Sequence, residues 1–295
     1  FFGSGPRTVS PFMIPMMSGD MAVGNSAIRS DAEGPNLPVV TACATSTNAI
    51  GEAFRAVRYG YADAIIAGGA EAAVNPVGVA GFANCKALTT CEDPEQACTP
   101  FDKRRSGFVM GEGAGILILE EYEHAKARGA KIYAEIVGYG NTCDAHHITA
   151  PHPEAKGAIR AFQLALEEAG IENLENEVIY INAHGTSTPL NDKTERLAIK
   201  SALGEEIARK AYISSTKSMT GHMLGAAGAV EAIASVMTLQ TGVIAPTIHY
   251  EQPDEDCDLH YVPNKAVQAP VTLALSDSLG FGGHHGVVAF IKVKD

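Results

Sequence analysis

The sequence lacks any run approaching the roughly 18 uninterrupted apolar residues that a membrane helix requires. Its opening stretch, FFGSGPRTVSPFMIPMM, is broken by Gly, Pro and Arg, so neither a membrane anchor nor a signal peptide is expected. It also lacks a CxxC pair, and its six cysteines, Cys43, Cys85, Cys91, Cys98, Cys143 and Cys257, show no even spacing. A chain of 295 residues needs no disulfide framework, so a reducing, cytoplasmic setting is expected. Basic residues are scarce: 22 Lys and Arg stand against 34 Asp and Glu, for a formal net charge of -12. That field opposes nucleic acid and anionic membranes, and an acidic partner would need a local basic patch. There is no initiator methionine, and the first clear element is expected only near Pro38, so the front of the chain reads as cut.

What is present is an alternation of short apolar runs and helical patterns, with 46% hydrophobic residues to fill a core. VVTAC reads as a buried strand, Ile50, Ala53, Phe54 and Val57 have helical spacing, and ADAIIAGG reads as another buried strand. GAGILILEEY and KIYAEIVGYG read as strands around a charged turn, EHAKARGA. GAIRAFQLALEEAG reads as a helix ending at Gly170. VIYINAHG and AYISST then read as strands separated by the helix DKTERLAIKSALG, and SMTGHMLGAAGAVEAIASVMTLQTG opens a long helix. The fold class is α/β throughout. Strand, small polar turn and Ala/Gly-rich helix occur at VVTACATSTNAIGEA and again at ISSTKSMTGHMLGAAGAVEA. Two similar halves sharing one core would place both turns at the carboxyl ends of central strands, where ligands bind in open α/β sheets.

Cys43 falls where a strand hands over to a helix. The free N–H groups and dipole of the first turn would favour its thiolate, the nucleophilic form; the alternative is a small buried hydrophobe. His184 ends an apolar strand and is followed by Thr186, Ser187 and Thr188, with Asp192 further on. Lys217, His222 and Glu231 share one stretch, in which a carboxylate can fix a neighbouring charge. Each of these, taken singly, also reads as a satisfied core group. SLGFGGHHG has glycines at dinucleotide-like spacing, but an apolar strand follows where a helix is needed, so it is better read as a flexible turn placing Phe281 near a ligand. The pairs His146/His147 and His284/His285, with His152, complete no metal-ligand spacing, and no metal is expected. A cysteine at a helix start, two histidines on separate turns and a glycine loop together suit acyl transfer through a thioester. Two neutral imidazoles would donate to a developing enolate.

TACATS, GGAE, PFDKRRSGFVMGEGAG, HGTSTPLND, SSTKSMTGHMLGAAGAVE and GFGGH, in that order, resemble the β-ketoacyl-acyl-carrier-protein synthases, and most of all the type II elongation synthase. The resemblance runs from about Gly5 to the last residue. It implies a thiolase-like, layered α-β-α-β-α sandwich of two similar halves, residues 1–130 with the nucleophile and 131–295 with both histidines, the N-terminal half being incomplete. It implies a homodimer, an acyl carrier protein as partner in acyl and malonyl forms, and no cofactor. Cys43 matches the nucleophile, His184 and His222 the pair that holds the malonyl thioester during decarboxylation, and Lys217 the lysine that supports the site. Glu231 and Asp192 match acidic residues of that network. Thr186 and Thr188 match hydroxyls at the phosphopantetheine end, and the small residues after Cys43 would leave room for that arm. Phe281 matches the gating ring, its N–H joining that of Cys43 in the oxyanion hole. Lys86 matches a carrier-docking position, and Lys103, Arg104 and Arg105 supply the basic patch.

Departures from the family pattern are Asp277, Ser278 and Leu279, where Asn-Ser-Phe is usual, and His285, where an Asn is common. Both changes are expected to fall in the gating loop. A non-decarboxylating thiolase would need a second catalytic cysteine, and Cys257 lies in the acidic stretch QPDEDCDLHY. An initiation synthase would carry Asn at the position of His222. The alternatives kept are a polyketide ketosynthase and a non-catalytic chain-length partner of the same fold, which typically lacks the cysteine.

Overall fold

The computed structural model describes residues 5–293, which divide into two compact units meeting at Val40 and Thr41. In the first, a turn of 3-10 helix (Pro6–Thr8) precedes α1 (Met13–Met17) and α2 (Met21–Ser30). None of these buries a residue, and α2 stops where Asp31 turns left-handed at φ 54°.

The second unit opens with a 3-10 turn (Ala42–Ala44) running into α3 (Thr45–Arg58), then β1 (Ala64–Glu71), α4 (Pro76–Asn84), α5 (Pro94–Ala97), β2 (Gly113–Glu120), α6 (Tyr122–Ala127) and β3 (Glu135–Cys143). There follow α7 (Lys156–Ala169), β4 (Ile179–Asn182), α8 (Pro189–Leu203), α9 (Glu205–Lys210), β5 (Tyr212–Ser214), α10 (Lys217–Thr220) and α11 (Ala227–Thr241). A short ladder of β6 (Val243–Ile244) with β7 (Val267–Gln268) and the hairpin β8 (Leu273–Gly280), β9 (His284–Ile291) close the chain.

Five strands form one sheet in the order β3-β9-β8-β4-β5, in which β4 runs parallel to both β8 and β5. β1 and β2 form a separate antiparallel ribbon in register from Ala64↔Glu120 to Glu71↔Gly113. Helices α3 and α11 pack against both the ribbon and the five-stranded sheet, while α7 and α8 cover the sheet's other side. The result is a layered α/β stack with the two small-residue turns brought to one place.

Helix α3 forms as its apolar spacing requires, burying Ile50 and Ala53 with Phe54 and Val57 packed beside them. Ala67 and Leu119 from the ribbon share that cluster with Tyr139, Val288 and Phe290, so residues on either side of position 130 contribute to one core. Helix α7 ends at Gly170, whose φ of 64° is left-handed and costs glycine nothing.

Three expectations about elements change. VVTAC forms no strand: a strand needs a neighbour facing its backbone groups, no described strand pairs with it, and Leu37 and Val40 are exposed. β1 is a strand but not a buried one; only Ala67 is buried, because helices cover one face of the ribbon and leave Ile66, Ile116 and Ile118 in the open. EHAKARGA is not a turn but contributes most of α6, started by Glu121, whose carboxylate accepts the His124 N–H at 2.8 Å.

Candidate active site

The cysteine corner is built by its neighbours. Ala42 sits at φ 51°, a left-handed position that costs a residue with a Cβ about 1 kcal/mol, and the next residue, Cys43, is thereby set at the head of α3. The strain is held by hydrogen bonds: the Ala44 N–H donates to Thr41 O at 3.0 Å, and Asn48 Nδ2 donates to Thr41 Oγ1 at 2.9 Å. Ser46, Thr47 and Asn48 are fully buried. Ser46 Oγ donates to Gly225 O, Thr47 Oγ1 shares a hydrogen bond with Ser278 Oγ at 2.7 Å, and Asn48 Oδ1 accepts from Tyr139 OH at 3.0 Å. The small polar run after the cysteine, expected from the sequence to leave room for a phosphopantetheine arm, is engaged in internal hydrogen bonds. It pins α3 to the α11 turn and to β8.

His184 follows the end of β4, where the Gly185 N–H donates to Glu195 Oε2 at 2.8 Å and Ser215 Oγ donates to Gly185 O at 2.7 Å. His222 is tied to the segment before β2: its N–H donates to Val109 O at 2.7 Å, and its carbonyl accepts the Gly111 N–H at 2.9 Å. Leu224 N–H donates to His222 Nδ1 at 3.3 Å, which leaves the proton on Nε2, a nitrogen with no partner among the described residues. The two imidazoles meet edge to face at 5.2 Å between centroids, and Phe108 braces His222 at 5.1 Å.

These turns converge. The Cys43 sulfur and a ring nitrogen from each histidine lie within 4.8 Å of one another. Among the described residues this is the one trio spaced to share a metal ion, a soft donor set of the kind that suits zinc. A metal there would occupy the sulfur lone pair that a nucleophile uses. The backbone N–H groups of Cys43 and Phe281 lie beside the sulfur and favour its thiolate; donors at that place can also reach the carbonyl oxygen of a group carried on the sulfur.

Burial dominates the electrostatics. It pushes the Cys43 thiol up to about 11, against the opposing pull of Lys217 and the two N–H groups. This corrects the sequence-based expectation of a lowered thiol: desolvation of a residue only 9% exposed outweighs the helix dipole. Both histidines are held well below the ordinary imidazole range, by burial first and by Lys217 next, so they are neutral donors at neutral pH. Alkylation of Cys43 by iodoacetamide should accordingly accelerate about tenfold per pH unit between about pH 7 and 9 without levelling. A plateau below pH 8, measured by stopped alkylation and intact mass, would mean a thiolate at rest.

Lys217 Nζ donates to Glu231 Oε1, both residues being buried. Asp192 is buried too: its Oδ2 accepts the Phe101 N–H at 2.8 Å, and its Oδ1 accepts from Asn191 at 3.1 Å. It braces a loop without a hydrogen bond to Lys217. Thr186 and Thr188 share a hydrogen bond at 2.9 Å between their hydroxyls. Phe281 is half-buried at the β8–β9 turn, where the Gly282 N–H donates to Ile148 O at 2.7 Å.

Of the basic residues, Lys86 and Lys103 are exposed, whereas Arg104 and Arg105 are spent internally. Arg104 donates to Asp102, Glu251 and the His249 carbonyl, and Arg105 to Asp254 and the Asp102 carbonyl. The expected patch is therefore reduced, because Asp102 and the acidic 251–254 segment fold back onto it. The departures at Asp277 and His285 also fall outside the turn. Asp277 lies fully buried within β8, and His285 within β9, where its Nε2 is 3.0 Å from Asp144 Oδ1.

Sequence reasoning missed the apolar wall beside Cys43, formed by Phe108 and Leu224 with Phe82, Leu88 and Met110 packed against them. A cleft of about 660 Å³ opens along Leu88, Phe108 and Met110. The signal lay inside GFVMGEGAG, whose Phe and Met have no periodicity to single them out.

Residues 2–125 match the family model described as the beta-ketoacyl synthase N-terminal domain, and residues 133–251 match its C-terminal domain. The chain is 56% identical over 290 residues to 3-oxoacyl-[acyl-carrier-protein] synthase 2 of Staphylococcus aureus (strain COL), covering 98% of this chain and 69% of that protein. It is 57% identical over 291 residues to the protein of the same name from Synechocystis, with the same coverage. Among solved structures it is similar to a type II polyketide ketosynthase in complex with its acyl-carrier protein and bound to the hexaketide, at TM-score 0.94 and 39% identity over 98% of this chain and 71% of that one. A beta-ketoacyl synthase from Burkholderia phymatum superposes at TM-score 0.91 and 38% identity, covering 99% of this chain and 70% of that one. The fold is thus the thiolase-like ketosynthase fold, and with both family domains matched in sequence order the chain belongs to the beta-ketoacyl synthase family.

Proposed function

We propose that the chain carries out decarboxylative condensation of an acyl group with a malonyl thioester on acyl carrier protein, as in fatty acid elongation. The single observation that carries this reading is the convergence of the Cys43 sulfur with two neutral imidazoles and two backbone N–H groups. The Cys43 sulfur attacks the acyl thioester carbonyl, the oxyanion sits on the N–H groups of Cys43 and Phe281, and the thiol proton leaves with the carrier sulfur. A malonyl thioester then loses CO2. The negative charge that develops on its carbonyl oxygen is met by His184 and His222, and the carbanion attacks acyl-Cys43 to release a 3-oxoacyl thioester.

In this reading Lys217, held by Glu231, adds its charge to the burial that keeps both histidines neutral. Thr186 and Thr188 receive the carrier's pantetheine end, while Lys86 and Lys103 are the open cations for an acidic carrier. No cofactor is required, since loss of CO2 generates the nucleophile. The same reading includes a homodimer and a reducing compartment; all six cysteines being free is consistent with the latter. Among the described residues no helix is long and apolar enough to cross a membrane.

A polyketide ketosynthase is the second reading, favoured by the 39% identical structural neighbour; the 56% identity to an elongation-type relative places it behind. The chain-length-partner reading is disfavoured by Cys43 itself. The decisive assay supplies acyl and malonyl carrier thioesters and follows 3-oxoacyl product by mass spectrometry. In His222→Ala, acylation of Cys43 should persist while malonyl decarboxylation falls by about 10² to 10³, the scale of one lost oxyanion donor. Decarboxylation at the wild-type rate would remove His222 from the role given it here.

A further inference from the structure

Strand β8 buries three consecutive polar residues, Ser276, Asp277 and Ser278, at the heart of the sheet. Ser278 is satisfied by Thr47, but neither carboxylate oxygen of Asp277 makes a well-formed hydrogen bond among the described residues, although the His184 backbone N–H lies beside it. Facing it from α8 is Glu195, 0% exposed, whose Oε1 likewise has no donor. The other oxygen of Glu195 accepts the Gly185 N–H at 2.8 Å and Asn191 Nδ2 at 3.2 Å. The two carboxyl groups stand within hydrogen-bonding reach of each other.

Among the described residues the pair has no cation of its own. Lys217 of α10 faces Asp277 but is already bonded to Glu231 of α11; Asp192 and the Tyr261 phenol face Glu195, and His184 adjoins the pair through its backbone. Two ionised carboxylates in contact in a dry interior repel each other strongly. A proton between them turns that repulsion into a hydrogen bond.

We propose that Glu195 and Asp277 share one proton at neutral pH and that this acid pair is a positioning device for His184, acting through the Gly185 N–H that Glu195 holds. Glu195 Oε1 carries the proton and Asp277 accepts it. Burial and the neighbouring Asp277 and Asp192 push Glu195 well above the carboxylate range, and burial raises Asp277 as well. The sign follows: the folded chain binds a proton that the unfolded chain has released above its ordinary carboxylate range. The stability gained is full below that range and is lost as pH rises through the folded-state ionisation. The shared proton is independent of the reaction proposed above; only its bearing on catalysis rests on that reading.

The test measures unfolding against pH, together with the infrared carbonyl band of a protonated carboxyl, in wild type and Asp277→Asn. An amide at 277 can donate to ionised Glu195, so the variant should lose the band and release one proton fewer per chain on unfolding. Wild-type decarboxylation should decline on the alkaline side as the shared proton is lost, and the variant should lack that decline. If the variant does not fold, wild type alone decides by whether the band is present at neutral pH and disappears on alkalinisation. A missing band overturns the proposal. So does a wild-type melting temperature raised by potassium chloride relative to tetramethylammonium chloride together with a missing pH step, since a bound cation would then be doing the neutralising.

Discussion

Cys43→Ala should abolish acyl loading and condensation, by on the order of 10⁴-fold or more, while malonyl decarboxylation continues. The division follows from geometry. Removing the sulfur takes away the only atom of the trio able to form a thioester, yet leaves the histidines, the Lys217–Glu231 pair and both N–H groups in place. The fold should survive, because Ser46, Thr47 and Asn48, and not the thiol, tie α3 to β8 and the α11 turn. Intact mass after exposure to an acyl carrier thioester reads the first half of the prediction, and CO2 release from a malonyl carrier thioester reads the second. A folded variant that neither loads nor decarboxylates would show that the sulfur contributes to malonyl binding, and the two half-reactions could no longer be assigned to separate groups.

Breaking the Lys217–Glu231 pair should have the largest effect on stability. Both side chains are almost wholly inaccessible, at 1% and 2% exposure, so replacing either by a neutral residue strands a charge in a dry interior. The expected cost is about 3–5 kcal/mol for Lys217→Met or Glu231→Leu alone. The double variant should recover most of that loss while remaining impaired in activity, since it keeps the packing and the burial that hold His184 and His222 neutral but discards the Lys217 charge that adds to that effect. Urea unfolding of the two single variants and the double variant forms the required cycle. Additive losses in the double variant would mean that the two groups are stabilised by other partners and that the pair is not the unit described here.

The small polar residues after Cys43 show where reading by type falls short. Ser, Thr and Asn next to a nucleophile invite a picture of open space, yet each side chain is consumed by a hydrogen bond to a segment more than 90 residues away in the chain or, for Asn48, to Thr41 and Tyr139. The same holds for Arg104 and Arg105, which are basic by sequence but neutralised by Asp102, Glu251 and Asp254. Glu195 had no distinguishing mark on a helix rich in charged residues until β8 brought Asp277 against it.

By itself the sequence determined the α/β alternation, the helices whose apolar residues recur at helical spacing, and the identity of Cys43, His184, His222, Lys217 and Glu231 as reactive types next to small-residue turns. Those features are local, set by periodicity and by which side chains can do chemistry. Tertiary structure decided protonation, accessibility and pairing: that the Cys43 thiol is pushed up, that β1 is open on one face, that VVTAC has no strand partner among the described residues, and that Asp192 accepts the Phe101 N–H. The physical reason is that desolvation and hydrogen-bond partners depend on what distant segments bring alongside, and no spacing along the chain encodes that distance directly.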